Sequence, residues 1–134
     1  MILKIEELHG ITAELAEALR AEGVQDAEAL LAAAGPKEGR EELAAKLGVE
    51  ARALLELCNR ADLARIRGIG KVYSDLLEFA GVDTVMELAQ RNADNLYAKI
   101  VEVAGEHYVK RIPTLANVGN WVSQAQTLGR KIFY

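Results

Sequence analysis

A chain of 134 residues, 51% apolar and 27% charged, has the size and balance of one globular domain, or of two small halves sharing a core, and not of a disordered or fibrous protein. Its net charge of −4 argues against a general DNA coat, because nonspecific affinity rests on neutralised phosphates, and its one cysteine, Cys58, excludes an intrachain disulfide framework and points to a reducing cytoplasm. No apolar run approaches the roughly 20 residues that span a bilayer, and the opening M-I-L-K-I-E-E-L turns acidic at Glu6, so neither a membrane role nor a signal peptide is expected.

In chain order almost every segment reads as helix, with glycines where helices stop. Ile2 to Leu8 predicts a short first helix, followed by the turn His9-Gly10-Ile11-Thr12. Ala13 to Glu22 places Leu15, Ala18 and Leu19 on one face and ends at Gly23. Asp26 suits the N-cap of a helix through Ala34, closed by Gly35-Pro36; Arg40 to Leu47 reads as another, stopped by Gly48. Glu50 to Ile66 carries Leu54, Leu57, Cys58 and Ala61 at helical spacing.

From Leu63 to Val82 the chain reads L-A-R-I-R-G-I-G-K-V-Y-S-D-L-L-E-F-A-G-V. Two helical patterns meet there at Gly68-Ile69-Gly70, where both glycines are expected to adopt angles closed to other residues while Ile69 drops into the helix crossing. This resembles a helix-hairpin-helix motif, and the resemblance implies that backbone N–H groups of the hairpin approach a nucleic-acid phosphate. Arg65, Arg67, Gly68, Ile69, Gly70 and Lys71 are the candidate binding residues, whereas Gly10, Ile11 and Thr12 form a weaker, structural hairpin.

Lys71 to Ala80 then presents Tyr73, Leu76 and Leu77 on one face before Gly81. Thr84-Val85-Met86-Glu87 has capping-box spacing and predicts a helix through Gln90. Asp94 or Asn95 opens the next, which runs to Gly105 with Leu96, Ile100 and Val103 inward, and Ile112-Pro113 marks a boundary. Thr114 to Leu128 closes the series with a stripe of Leu115, Val118, Trp121, Val122 and Ala125, so Trp121 is assigned to the core. No strand pattern appears.

A shift of 58 residues superimposes Gly10 on Gly68, Ile11 on Ile69, Leu19 on Leu77, Gly23 on Gly81, Val24 on Val82 and Leu30 on Leu88. Past Gly105 the register slips by about six residues, and Leu54, Leu57 and Ala61 fall on Val118, Trp121 and Ala125. The expected architecture is one all-α domain over 1–134: a tandem helix-hairpin-helix pseudo-repeat with units at about 2–60 and 61–128, and a basic tail at 129–134. With the doubled hairpin, the Gly39-Arg40-x-x-Leu43-Ala44 segment, the Ala61-Asp62-Leu63 lead-in and the Pro113 to Ala125 segment, the chain resembles a bacterial family catalogued as domain of unknown function 4332, described as tandem helix-hairpin-helix. That resemblance implies a fold; it implies no activity.

No constellation for catalysis, a metal or a cofactor is present. The histidines His9 and His107 stand far apart, Cys58 lies on an apolar stripe, and Gly68-x-Gly70 lacks the third glycine and the strand of a dinucleotide site. A non-enzymatic binding module is therefore expected. One partner class is nucleic acid, bound weakly and without sequence preference at the second hairpin; the other is a protein partner or a second copy, with the hairpins purely structural. Residues 99–134 carry five basic and two acidic side chains against 11 and 18 before them, which is either two differently solvated faces or a basic edge facing an acidic partner. The ending Arg130-Lys131-Ile132-Phe133-Tyr134 is in turn either a partner anchor or a frayed terminus.

Overall fold

A computed structural model describes residues 3–134 and is all-α. Eight helices follow a single 3-10 turn at Ile5–Glu7: α1 (Ala13–Ala21), α2 (Ala27–Ala34), α3 (Lys37–Leu47), α4 (Ala51–Leu63), α5 (Lys71–Phe79), α6 (Val85–Ala89), α7 (Ala93–Glu106) and α8 (Leu115–Thr127). An isolated bridge between Lys4 and Asp26 is the one β-type pairing among the described residues. No described helix is long and apolar enough to cross a membrane.

Capping explains most of these boundaries. Thr12 Oγ1 accepts from the Leu15 N–H at 3.1 Å, Asp26 Oδ1 from Ala29 at 2.8 Å, and Thr114 Oγ1 from Asn117 at 3.0 Å, each satisfying a donor that the first turn leaves unpaired. Four expectations shift. The opening segment forms only the 3-10 turn, with Ile2 outside the described residues, and α3 begins at Lys37 because Pro36 takes the N-cap position. Asn92, and not Asp94 or Asn95, caps α7, and α4 ends at Leu63 and not at Ile66. At α6, Thr84 accepts from Glu87 N–H as expected, but the Glu87 carboxylate bonds Asp83 N–H (3.1 Å) in place of the cap residue's own.

The buried residues form two cores. One runs from Ile5 to Ala61 and takes in Ile132 from the far end of the chain; the other runs from Leu63 to Ala125. The long helix α4 serves both: Leu54, Leu57, Cys58 and Ala61 face the first core, and Leu63 opens the second. Within the first core α2 packs on α4, α3 on α4 and α1 on α3, while in the second α6 packs on α8, α7 on α8 and α5 on α7. Trp121, 3% exposed, is part of the second core.

Residues 132 and 133 dock on the first core. Ile132 is 2% exposed in the first core, and the Phe133 N–H donates to Gly35 O at 2.9 Å. The buried Arg40 ties both sides together: its Nη1 donates to Ala34 O (3.1 Å) and Gly35 O (3.0 Å) at the end of α2, and its Nη2 to Phe133 O (3.0 Å). A cation at a helix C-terminus meets the negative end of the helix dipole, which lowers the cost of burying it. The aromatic side chains of Phe133 and Tyr134 remain exposed.

Candidate binding site at the second hairpin

The hairpin between α4 and α5 is built by residues on both sides of it. Asp62, 2% exposed in α4's last turn, reaches across the fold: its Oδ2 accepts from Val85 N–H at 2.9 Å and its Oδ1 from Arg65 Nη1 at 2.8 Å. The chain then turns through Ile66 N–H to Leu63 O and Ile69 N–H to Ile66 O, and both isoleucines enter the second core. Gly68 has φ +99°, and a Cβ there would lie 3.1 Å from Trp121 Nε1, so both backbone angle and space demand glycine. Gly70 differs from the sequence reading. Its φ of −107° is open to any residue and a Cβ would meet nothing within 4 Å, so its missing side chain leaves open surface and does not relieve backbone strain.

Helix α8 fixes the turn from outside. Gln124 clamps the Arg67 backbone, its Oε1 accepting from Arg67 N–H at 2.9 Å and its Nε2 donating to Arg67 O at 3.0 Å. Trp121 packs against Tyr73 with ring centroids 5.1 Å apart, and Arg111 lies 5.0 Å above the Tyr73 ring, a cation–π contact. Gln124, a polar residue on a helix whose apolar stripe alone is periodic, was not legible in the sequence.

Of the candidate residues, Arg67, Gly68, Gly70 and Lys71 are exposed and Ile69 is buried. Neither Arg67 nor Lys71 forms an ion pair among the described residues, whereas Arg65 is half-buried against Asp62. No side chain caps α5 at Gly70, so the N–H groups of its first turn have no side-chain partner. At the first hairpin Gly10 has φ +86° and Ile11 packs on the first core, but Thr12 occupies the cap and takes the Leu15 donor. Gly10 and Gly68 thus both take a positive φ, while the helices that follow differ in whether a side chain caps them.

Asp75 and Glu78 of α5 lie close in sequence to the hairpin's arginines. The structure gives both to Arg60, an 8%-exposed residue of α4 that bonds the two carboxylates, and His9 Nδ1 lies 3.5 Å from Asp75 Oδ2. Arg60 lies two residues from Cys58 on the same helix, and its position three residues beyond Leu57 on the inward face was the signal that it is buried. Cys58 is fully buried, and burial pushes its thiol up to about 12, which removes it from nucleophilic chemistry at neutral pH. No group of three or more His, Cys, Asp and Glu side chains among the described residues is arranged to hold a metal ion.

A groove of about 800 Å³ opens beside the hairpin, lined by Arg65, Arg67, Gly68, Ile69 and Gly70, by residues of α2, and by Leu128 and Lys131 after α8. Neither its volume nor the approach of the tail was legible in the sequence, since both depend on how the two ends of the chain pack.

A family model described as "Domain of unknown function (DUF4332)" matches residues 9–128, which takes in all eight helices. No curated protein and no solved structure matches the chain.

Proposed function

We propose that this chain, which belongs to the domain of unknown function 4332 family, is a non-enzymatic binding module of two helix-hairpin-helix units, and that its second hairpin holds the phosphate backbone of nucleic acid without reading sequence. The observation that carries this reading is the uncapped start of α5. A Cβ on Gly70 would meet nothing within 4 Å, the first-turn N–H groups have no side-chain partner, and Arg67 and Lys71, neither of them in an ion pair among the described residues, stand close to Gly70 in sequence. Outward N–H groups at the positive end of a helix dipole, beside mobile cations, favour a phosphate oxygen.

The tandem repeat enters the same proposal. Helices α1 and α5 are each nine residues long and start at an offset of 58, as do α2 and α6, while α4 and α8 are each 13 residues long at an offset of 64. Paired turn glycines support it: φ is +86° at Gly10 and +99° at Gly68, +84° at Gly23 and +89° at Gly81. On this reading the first hairpin is the structural copy, because Thr12 already serves its helix.

Two unpaired cations neutralise few phosphates, so binding is weak and falls with salt, with a slope of about −2 in log–log form. A titration against duplex and single-stranded DNA at two salt concentrations tests this, with Lys71→Glu as the variant. Wild type is expected to bind at low salt and the variant several-fold less. Equal binding by the variant removes the site from this hairpin. No binding by wild type at low salt hands the function to a second reading, a protein-interaction module, which the groove beside the hairpin and the acidity of residues 1–98 favour.

A further inference from the structure

The groove has a chemistry of its own that phosphate contact at the head of α5 does not use. We propose that it is a binding site for a monomeric single-chain amphiphile with an anionic head, an aliphatic body ending in a carboxylate or a phosphate. Its volume of about 800 Å³ lies in the range of small-molecule sites. The lining is aliphatic, chiefly Leu31, Ile66, Ile69 and Leu128, and among the described residues no aromatic ring lines it. A planar ring or base would have no face to stack on, whereas a flexible chain needs only aliphatic contact. The space exists because side chains are small: Ala27, Ala32, Ala61 and Ala64 face it together with Gly68 and Gly70.

The charge of the lining selects the head. Arg65, Arg67 and Lys131 stand against a single carboxylate, Glu28, in a protein whose net charge is otherwise negative. Asp62 engages one arm of Arg65 and leaves its other N–H donors available; Arg67 and Lys131 form no ion pair among the described residues. A cationic or neutral head gains nothing from this set, while a carboxylate or phosphate gains charge-assisted hydrogen bonds.

The single tryptophan supplies the assay. Trp121 Nε1 lies 3.1 Å from the Cβ position of Gly68, which lines the groove, so Trp121 emission reports occupancy there. The full chain is titrated with decanoate and with decyl phosphate below their micelle concentrations, with decanol and inorganic phosphate as controls. The expected result is a saturable change in Trp121 emission at one ligand per chain and a raised melting temperature with both anions. Arg67→Glu combined with Lys131→Glu is expected to weaken both by roughly tenfold or more. Ala32→Phe, an exposed position at the groove wall, is expected to do the same by filling space, with near-normal melting temperature. Lys71→Glu leaves amphiphile binding unchanged, because Lys71 does not line the groove, which separates this site from the nucleic-acid reading. The proposal is overturned by the absence of a saturable response, by decanol or inorganic phosphate binding as tightly as decyl phosphate, or by an Ala32→Phe protein that folds and binds normally. Binding to phosphatidylglycerol vesicles without binding to monomeric decyl phosphate also overturns it, in favour of a membrane surface.

Discussion

Two glycines two residues apart do different work here, and substitution separates them. Gly68→Ala forces a side chain onto φ +99° and against Trp121 Nε1, and is expected to cost about 1–3 kcal/mol in a urea melt, with a shift in Trp121 emission. Gly70→Ala meets no neighbour and an ordinary backbone angle, so stability is expected to hold or rise by a few tenths of a kcal/mol, through a less flexible unfolded chain. In sequence the two look alike, because composition and spacing do not carry the sign of φ. Cys58 gives a pH signature. Its folded thiol stands at about 12 against an ordinary 9.0, so the unfolded chain loses this proton first as pH rises. The associated stability is complete below about pH 9 and is lost between about pH 9 and 12. Urea melts across that window are expected to show a decline that Cys58→Ala flattens, and the native thiol is expected to react with a thiol reagent only on unfolding.

Helix existence was legible because each helix pairs a stop glycine or a polar cap with an apolar stripe. Boundaries slipped on local caps at α3, where Pro36 takes the N-cap, and at α7, where Asn92 does. Near the end of α4 the Asp62 carboxylate serves Val85, and nothing local to residues 62–66 announces that bond. The tail was illegible for the same reason. Ile132 looks like an isolated apolar residue among charges until Gly35 is seen to admit the backbone beside it: a Cβ on Gly35 would lie 2.2 Å from Lys131 O. Gly35→Ala is accordingly expected to cost about 1–3 kcal/mol, and Ile132→Ala about 2–5 kcal/mol, in urea denaturation. Because both act on one docked segment, their effects are expected to fall short of additive in the double variant. Removing residues 129–134 should strip hydrogen-exchange protection from α2 and α3 while α7 and α8 keep theirs. Loss of protection spread evenly over both halves would contradict a tail that serves the first core.

At the scale of the whole molecule, the two cores are joined by one continuous helix and by one buried cation. Arg60 of α4 holds Asp75 and Glu78 of α5, and Asp75 in turn meets His9 from the first hairpin. Removing the guanidinium leaves a carboxylate that is 18% exposed without its partner, and Arg60→Ala is expected to cost about 1–3 kcal/mol in urea denaturation. Raised salt should change that difference little, because the pair is largely shielded from solvent ions. A full loss of the difference at high salt would show the pair to be a surface contact. Asp75 and Glu78 lie nearer in sequence to Arg65 and Arg67, but the fold gives them to Arg60, 15 positions upstream of Asp75 on the preceding helix.

The passage of the tail into the first core also sets an order of assembly. A chain made from its amino end delivers residues 5–61 first, yet the core they form includes Ile132, which follows α8. The half synthesised first is therefore completed last. Until Ile132 and Phe133 leave the ribosome, the nascent first half exposes the apolar seat of Ile132 and the carbonyl of Gly35, and the second half has to emerge before that seat is filled.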